Sequence, residues 1–196
     1  MNKLLLSASV ALGATSLAYA QQTEKPNFVL FIADDCSHYD LGCYGSVDSK
    51  TPNIDRFATQ GVRFTQAYQA VPMSSPTRHN LYTGLWPVRS GAYPNHTCAD
   101  EGTLSVVHHL QPLGYKVALI GKSHIAPESV FPFDLYVPSL KGGDLNFEAI
   151  QKFVSDCKAK GDPFCLFVAS NQPHTPWNKG DASQFNADKL TLPPMY

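Results

Sequence analysis

Asp34 and Asp35 are adjacent carboxylates that follow the apolar run Asn27-Phe-Val-Leu-Phe-Ile-Ala33. Two acids at the carboxyl end of a strand are costly near a core unless a cation neutralises them, and oxygen-only ligands select calcium or magnesium. Taken alone, the pair also reads as the acidic cap of a solvated loop. Ser74 opens Ser74-Ser-Pro76-Thr-Arg78, inside a stretch from Pro72 to Gly84. Pro76 suits a first helical position and Gly84 tolerates positive φ, which predicts a turn leading into a short helix with Ser74 just ahead of it. Free N–H groups there favour negative charge, and Arg78, about one turn on, brings a permanent cation to the same place. A capped helix with a surface arginine is the plainer alternative. Lys122 and His124 follow the apolar run Lys116–Ile120 and, two residues apart, project the same way if the backbone stays extended. His174 follows a third apolar run, Phe164–Ala169, and is held between Pro173 and Pro176, which stiffen its backbone. A rim lysine and structural histidines remain open readings for these three.

The elements that must position these residues decide between the readings. Three β-prone runs separated by helical segments predict a mostly parallel α/β sheet, with the run from Asn27 buried on both faces. Ligands of such sheets collect at the carboxyl ends of strands. Each run delivers its ionisable residues at that end: Asp34 and Asp35, Lys122 and His124, then His174. With Ser74 and Arg78 they make an anion-processing centre. The remaining elements are supporting architecture. A helix from Thr51 to Gly61 carries a capping Thr51 and a first-turn Pro52, and Val62–Ala70 alternates loosely as a short strand. Leu104–Leu110 reads as a helix closed by Pro112 and Gly114, with His108 and His109 as surface or packing residues. Asp144 is the expected cap of a helix running to Lys160, with Phe147, Ile150, Val154 and Cys157 as its buried stripe.

The chain has 196 residues and a formal net charge of −1, with scattered basic residues and none of the basic stripe of a nucleic-acid binder. Lys3, the apolar stretch Leu4–Leu17 and Ala18-Tyr19-Ala20 read as a secretory signal peptide over residues 1–20, which implies use of the secretion machinery and a bacterial periplasmic or secreted location. No segment approaches the roughly 20 apolar residues of a membrane span. Residues 21–196 are long enough for one core. Five cysteines are an odd number for an exported protein, and their spacing matches no zinc pattern. Asn95-His96-Thr97 fits a glycosylation acceptor pattern, which carries little weight in a bacterial periplasm.

The stretch Pro72–Gly84 resembles the signature of the type I, formylglycine-dependent sulfatases of the alkaline phosphatase superfamily, in the serine-type form. Tyr82 departs from the aliphatic residue usual there. Asp40-Leu-Gly-Cys-Tyr-Gly and Thr51-Pro-Asn-Ile-Asp extend the similarity. The run from Gly121-Lys-Ser-His to Phe133-Asp is especially similar to the heparan N-sulfatase branch, including Ser123 where many members carry an aromatic residue. The resemblance implies a helix-flanked parallel sheet and hydrolysis of sulfate esters or N-sulfates on sulfated carbohydrate, glycosaminoglycans among them. It assigns Asp34 and Asp35 to a calcium site that also holds Ser74, oxidised to formylglycine by a maturation enzyme. It sets Arg78 against that residue, Lys122 and His124 around the aldehyde hydrate and sulfate, and His174 at the sulfate as the leaving-group acid. An aldehyde hydrate has two hydroxyls on one carbon: one attacks sulfur, and deprotonation of the other expels sulfate, an exit that plain serine lacks.

The resemblance also implies a later Asp-Asn pair completing the metal site, which this sequence does not reach. The expectation is therefore the N-terminal part of the catalytic domain, incomplete at the C-terminus, with an exposed core edge and weak calcium binding on its own. Two other functions stay open: a phosphodiesterase using unmodified Ser74, for which only His38 lies near the first aspartate, and an inactive remnant or glycan-binding pseudoenzyme.

Overall fold

The computed structural model describes residues 24–179, 181–184 and 186–191, so the expected signal peptide lies outside the described residues. The three apolar runs become strands β1 (Phe28–Ile32), β2 (Lys116–Gly121) and, after the short β3 (Leu135–Val137), β4 (Phe164–Ala169). They form one parallel sheet in the order β1-β4-β2-β3. Ala169 of β4 stands opposite both Ile32 of β1 and Gly121 of β2. The ladder continues past the strands: Ser170 N–H donates to Ile32 O at 2.8 Å, Lys122 N–H to Ala169 O at 2.8 Å and Asp34 N–H to Gln172 O at 3.0 Å. Register alone therefore draws the residues after three strands to one edge.

Successive side chains of β2 and β4 alternate between the faces. Val117, Leu119, Cys165, Phe167 and Ala169 pack on one side with Tyr82, Val107, Val130 and Phe131. Ala118, Ile120, Phe164, Leu166 and Val168 pack on the other with Leu145, Phe153 and Cys157. Helices α1 (Pro52–Ala58), α2 (Ser74–Thr83), α3 (Pro87–Ser90), α4 (Val106–Leu110) and α5 (Phe147–Lys160) complete the fold. No helix among the described residues is long and apolar enough to cross a membrane.

Several expectations need correction. β1 is not buried on both faces: it is the sheet edge, and Phe28, Val29 and Phe31 are 47, 62 and 59% exposed. Val62–Ala70 forms no strand; it is tied to the loop around Tyr44, whose Oη donates to Phe64 O at 2.8 Å, while the Arg63 side chain donates to Cys43 O. Thr51 does not cap α1 with its side chain; its hydroxyl donates to Asp55 at 2.8 Å and accepts from Gly42 N–H at 2.9 Å. Asn146, not Asp144, caps α5 by accepting from Ala149 N–H at 2.9 Å, which leaves Asp144 to pair with Lys179. Phe147 then starts that helix on the solvent side, and Phe153 takes its place in the buried stripe. All five cysteines are free thiols, and burial pushes Cys165 up to about 11.

Gly121 ends β2 at φ +113°, and a Cβ there would overlap Ala169 O. Glycine permits both the conformation and the close approach. Gly121→Ala is therefore expected to lower the stability of the full-length protein by about 3 kcal/mol or more, measured by denaturant unfolding. An unchanged unfolding midpoint would mean that the strand tip can relax around the added methyl.

Candidate active site

The site grows from α2 outward. The helix begins at Ser74, two residues earlier than the proline signal indicates, so Ser74 is its first residue and Pro76 its third. Proline is tolerated there because the first-turn N–H groups have no intrahelical partner. Ser74 and Arg78 thus stand four residues apart on one helical face, and Arg78 Nε–H donates to Ser74 Oγ at 3.3 Å. Met73 precedes the helix in extended conformation, and Gly84 closes it at φ +70°. The opposite face is buried. Tyr82 packs edge-on against Phe131, Phe133 and Phe167, and His79 edge-on against Phe131. Burial pushes the Tyr82 hydroxyl up to about 12, a rise that the Arg78 guanidinium opposes. His79 binds the Ser75 carbonyl at 2.8 Å and lies 3.0 Å from Ala126 O, which ties α2 to the loop after β2.

Asp34 is the centre of charge. Its side chain is 4% exposed and lies between two cations: Arg78 Nη2 donates to Oδ1 at 3.1 Å and Lys122 Nζ to Oδ2 at 2.5 Å. Arg78 Nη1 also donates to Lys122 O at 3.3 Å. A guanidinium has five N–H donors and an ammonium three, so both cations retain donors beyond these contacts. His124 completes the inner group, with Nδ1 at 3.0 Å from Ser74 Oγ. Desolvation by burial holds the His124 imidazole below its usual range, helped by Lys122, His96 and Arg78.

Asp35 and His174 form an outer pair on the same rim. His174 Nε2 is 3.5 Å from Asp35 Oδ2, and His174 Nδ1 donates to Thr175 O at 2.6 Å. The structure therefore unites Asp34, Ser74, Arg78, Lys122 and His124 directly. It sets His174 against Asp35 rather than in contact with Ser74. His38, the residue relevant to a phosphodiesterase, stacks on Tyr39 with ring centres 3.9 Å apart. Sequence reasoning missed His96, whose Nδ1 lies 2.7 Å from His124 Nε2. Its signal was present only as part of the acceptor pattern Asn95-His96-Thr97.

The donor chemistry at Asp34 and Asp35 suits a hard cation, and the Asp35 side chain, 61% exposed, is open to one. No group of three or more acidic, histidine or cysteine ligands occurs among the described residues. Arg78 and Lys122 both pair with Asp34.

Removing one partner of a buried ion pair strands the other's charge. Asp34→Ala is expected to destabilise the full-length protein by about 3 kcal/mol in denaturant unfolding. Asp35→Ala, on an exposed side chain, is expected to change it by no more than about 0.5 kcal/mol. Equal effects of the two would show that the inner ion triad does not hold this edge together.

Comparison with known proteins bears on this geometry. Residues 26–189 match the Sulfatase family. The chain is 38% identical over 154 residues to an ulvan-active sulfatase of Formosa agariphila, an alignment covering 78% of this chain and 31% of the relative. It is similar in structure to BT4656, solved in complex with its substrate D-glucosamine-2-N,6-O-disulfate, with TM-score 0.67 and 26% identity over 78% of this chain and 35% of that one. Ps i-CgsB in complex with k-i-k-neocarrahexaose matches with TM-score 0.68 and 28% identity, over 78% and 46% of the two chains. The chain thus spans about a third of the length of the ulvan-active relative.

Proposed function

The chain belongs to the sulfatase family, and on that premise we propose that it carries the reacting centre of a hydrolase that removes sulfate from sulfated carbohydrate. The observation that supports this reading most is the convergence of Arg78 and His124 on one oxygen, Ser74 Oγ, above the buried Asp34. Ser74 is the position we assign to formylglycine, made by a maturation enzyme. Its hydrate supplies a carbon with two hydroxyls, one a nucleophile toward sulfur and the other the route by which sulfate leaves. Asp34 and Asp35, with the oxygen at position 74, are the residues that would hold calcium, which would supply positive charge beside the sulfuryl oxygens.

This chain's own residues do the rest. Arg78 and Lys122, fixed by Asp34, turn their remaining donors toward an anion at position 74, where pre-set cations stabilise accumulating charge without reorganising. His124 holds a proton or a lone pair at that oxygen. His174, on the rim, is the group assigned to protonate the departing sugar oxygen or nitrogen. Export through the secretion machinery to the periplasm or beyond, and a preference for N-sulfated glucosamine, belong to the same proposal. The preference rests on the run Gly121–Asp134. Saccharide-bound neighbours support carbohydrate as the substrate class.

Two measurements test the proposal. The tryptic peptide Phe64–Arg78 from protein made in its native host is expected to be two hydrogens lighter than its sequence requires. The full-length protein is expected to release sulfate from N- or O-sulfated glucosamine, and Ser74→Ala to lose at least about a thousandfold in kcat/KM. Turnover with an unmodified peptide would assign the chemistry to serine itself. Absence of turnover would leave a glycan-binding protein without catalysis.

A further inference from the structure

Ser123 stands between Lys122 and His124, yet its side chain is engaged elsewhere. Lys122 Nζ reaches Asp34 Oδ2 at 2.5 Å, whereas Ser123 Oγ accepts from Tyr136 Oη at 3.2 Å. Tyr136 lies on the edge strand β3, opposite Leu119 of β2 in register. Registered residues of parallel strands project to one face, so its ring joins the face that carries Phe131 and Phe133. A pocket of about 260 Å³ opens there, with apolar walls that include Ile125, Phe131 and Phe133, and with Ser123, Tyr136 and Glu128 as its polar members.

The pocket differs from the reacting centre in charge. Among the described residues, its lining holds one carboxylate, Glu128, and no lysine or arginine. The centre beside it holds Arg78 and Lys122 around Asp34. A sulfate or carboxylate entering the pocket would lose water without gaining a cation, and it would meet Glu128. An unsulfated sugar ring suits the same lining. Its C–H faces lie on the aromatic and aliphatic walls, and its hydroxyls donate to Glu128 and exchange hydrogen bonds with Ser123 and Tyr136. The volume is below the roughly 300 Å³ at which ligand pockets usually begin, so one ring fills it. Consecutive Cα atoms lie about 3.8 Å apart, so Ser123 holds the pocket within one glycosidic step of Lys122 and His124. Tyr136 is 47% exposed, which leaves the entrance open to solvent.

We propose that this pocket is a subsite for an uncharged sugar unit joined to the sulfated one, with Tyr136 and Glu128 as the residues that select it. The inference rests on the proposed function in one respect, that the sulfated unit binds at position 74. The difference in charge then orients the saccharide: its sulfated unit lies at Arg78 and Lys122, and its neutral neighbour at Tyr136. The preferred substrates are therefore saccharides in which the sulfated unit adjoins an unsulfated, non-acidic one.

The test measures binding by calorimetry to full-length protein carrying Ser74→Ala, with three probes. These are N-sulfated glucosamine alone, the same unit linked to unsulfated glucose, and the same unit linked to glucose 6-sulfate. The disaccharide with the unsulfated neighbour is expected to bind at least about tenfold more tightly than the monosaccharide, and the one with the sulfated neighbour no more tightly than the monosaccharide. Tyr136→Ala is expected to erase that gain and leave the monosaccharide affinity within about twofold, whereas Tyr136→Phe keeps most of the gain. Glu128→Gln is expected to raise the affinity for the sulfated neighbour relative to the unsulfated one. Ser123→Phe fills the pocket and is expected to cause the same loss as Tyr136→Ala with an unchanged unfolding midpoint. Equal binding of the monosaccharide and the unsulfated disaccharide, or binding of neither, overturns the proposal. So does a loss in Tyr136→Ala that the monosaccharide shares. Binding needs no turnover, so a parent protein that releases no sulfate defeats the proposed function while the disaccharide gain still decides the subsite.

Discussion

The Asp34 carboxylate, buried between Arg78 and Lys122, is the interaction on which the rest of the site depends. A buried carboxylate without a partner is very costly, and so is a buried guanidinium. Each of the three groups therefore tolerates its place only because the others are there. The three come from different elements: the tip of β1, the first turns of α2 and the tip of β2. Their mutual neutralisation fixes these elements relative to one another more narrowly than apolar packing alone, which is non-directional. The arrangement also leaves spare N–H donors of both cations available to an incoming anion.

Position within the sheet explains why these groups meet at all. Parallel pairing of β1 with β4 and of β4 with β2 puts three carboxyl ends on one edge, and the last residues continue the ladder beyond the strands. Gly121 lets β2 end against the carbonyl of Ala169 and turn at once, which carries Lys122 back over Asp34. Left-handed backbone occurs at Asp35, just past the end of β1, and at His96 and His124, where the two imidazole rings meet beside Ser74.

The exposed apolar side chains of β1 deserve the same physical reading. Phe28, Val29 and Phe31 form a β-prone run of the kind that is buried in parallel sheets, yet they stand at an edge with their faces open among the described residues. Their sequence carries the pattern of a central strand, and burial depends on neighbours rather than on pattern. The same distinction separates Val62–Ala70, whose loose alternation is compatible with a strand, from the observed backbone, which pairs with no strand and whose Phe64 carbonyl accepts from Tyr44 Oη.

Much of this protein is legible in its residues. Apolar runs of strand length mark β1, β2 and β4, and their ionisable endings mark Asp34, Lys122, His124 and His174, because strand periodicity and the location of ligands at strand ends are local, repeatable rules. The family signature around Ser74 does the same for Arg78. Three things were decided only by the tertiary structure. The helix starts at Ser74 because first-turn N–H groups have no partners to lose, which makes Ser74 and Arg78 neighbours on one face. Asp34 is neutralised by Arg78 and Lys122, since charge pairing depends on distance in space. His96 joins His124 because a positive φ and a loop crossing are invisible to composition and spacing. What one residue does locally is written in its type; which other residue receives it is settled by where the chain returns.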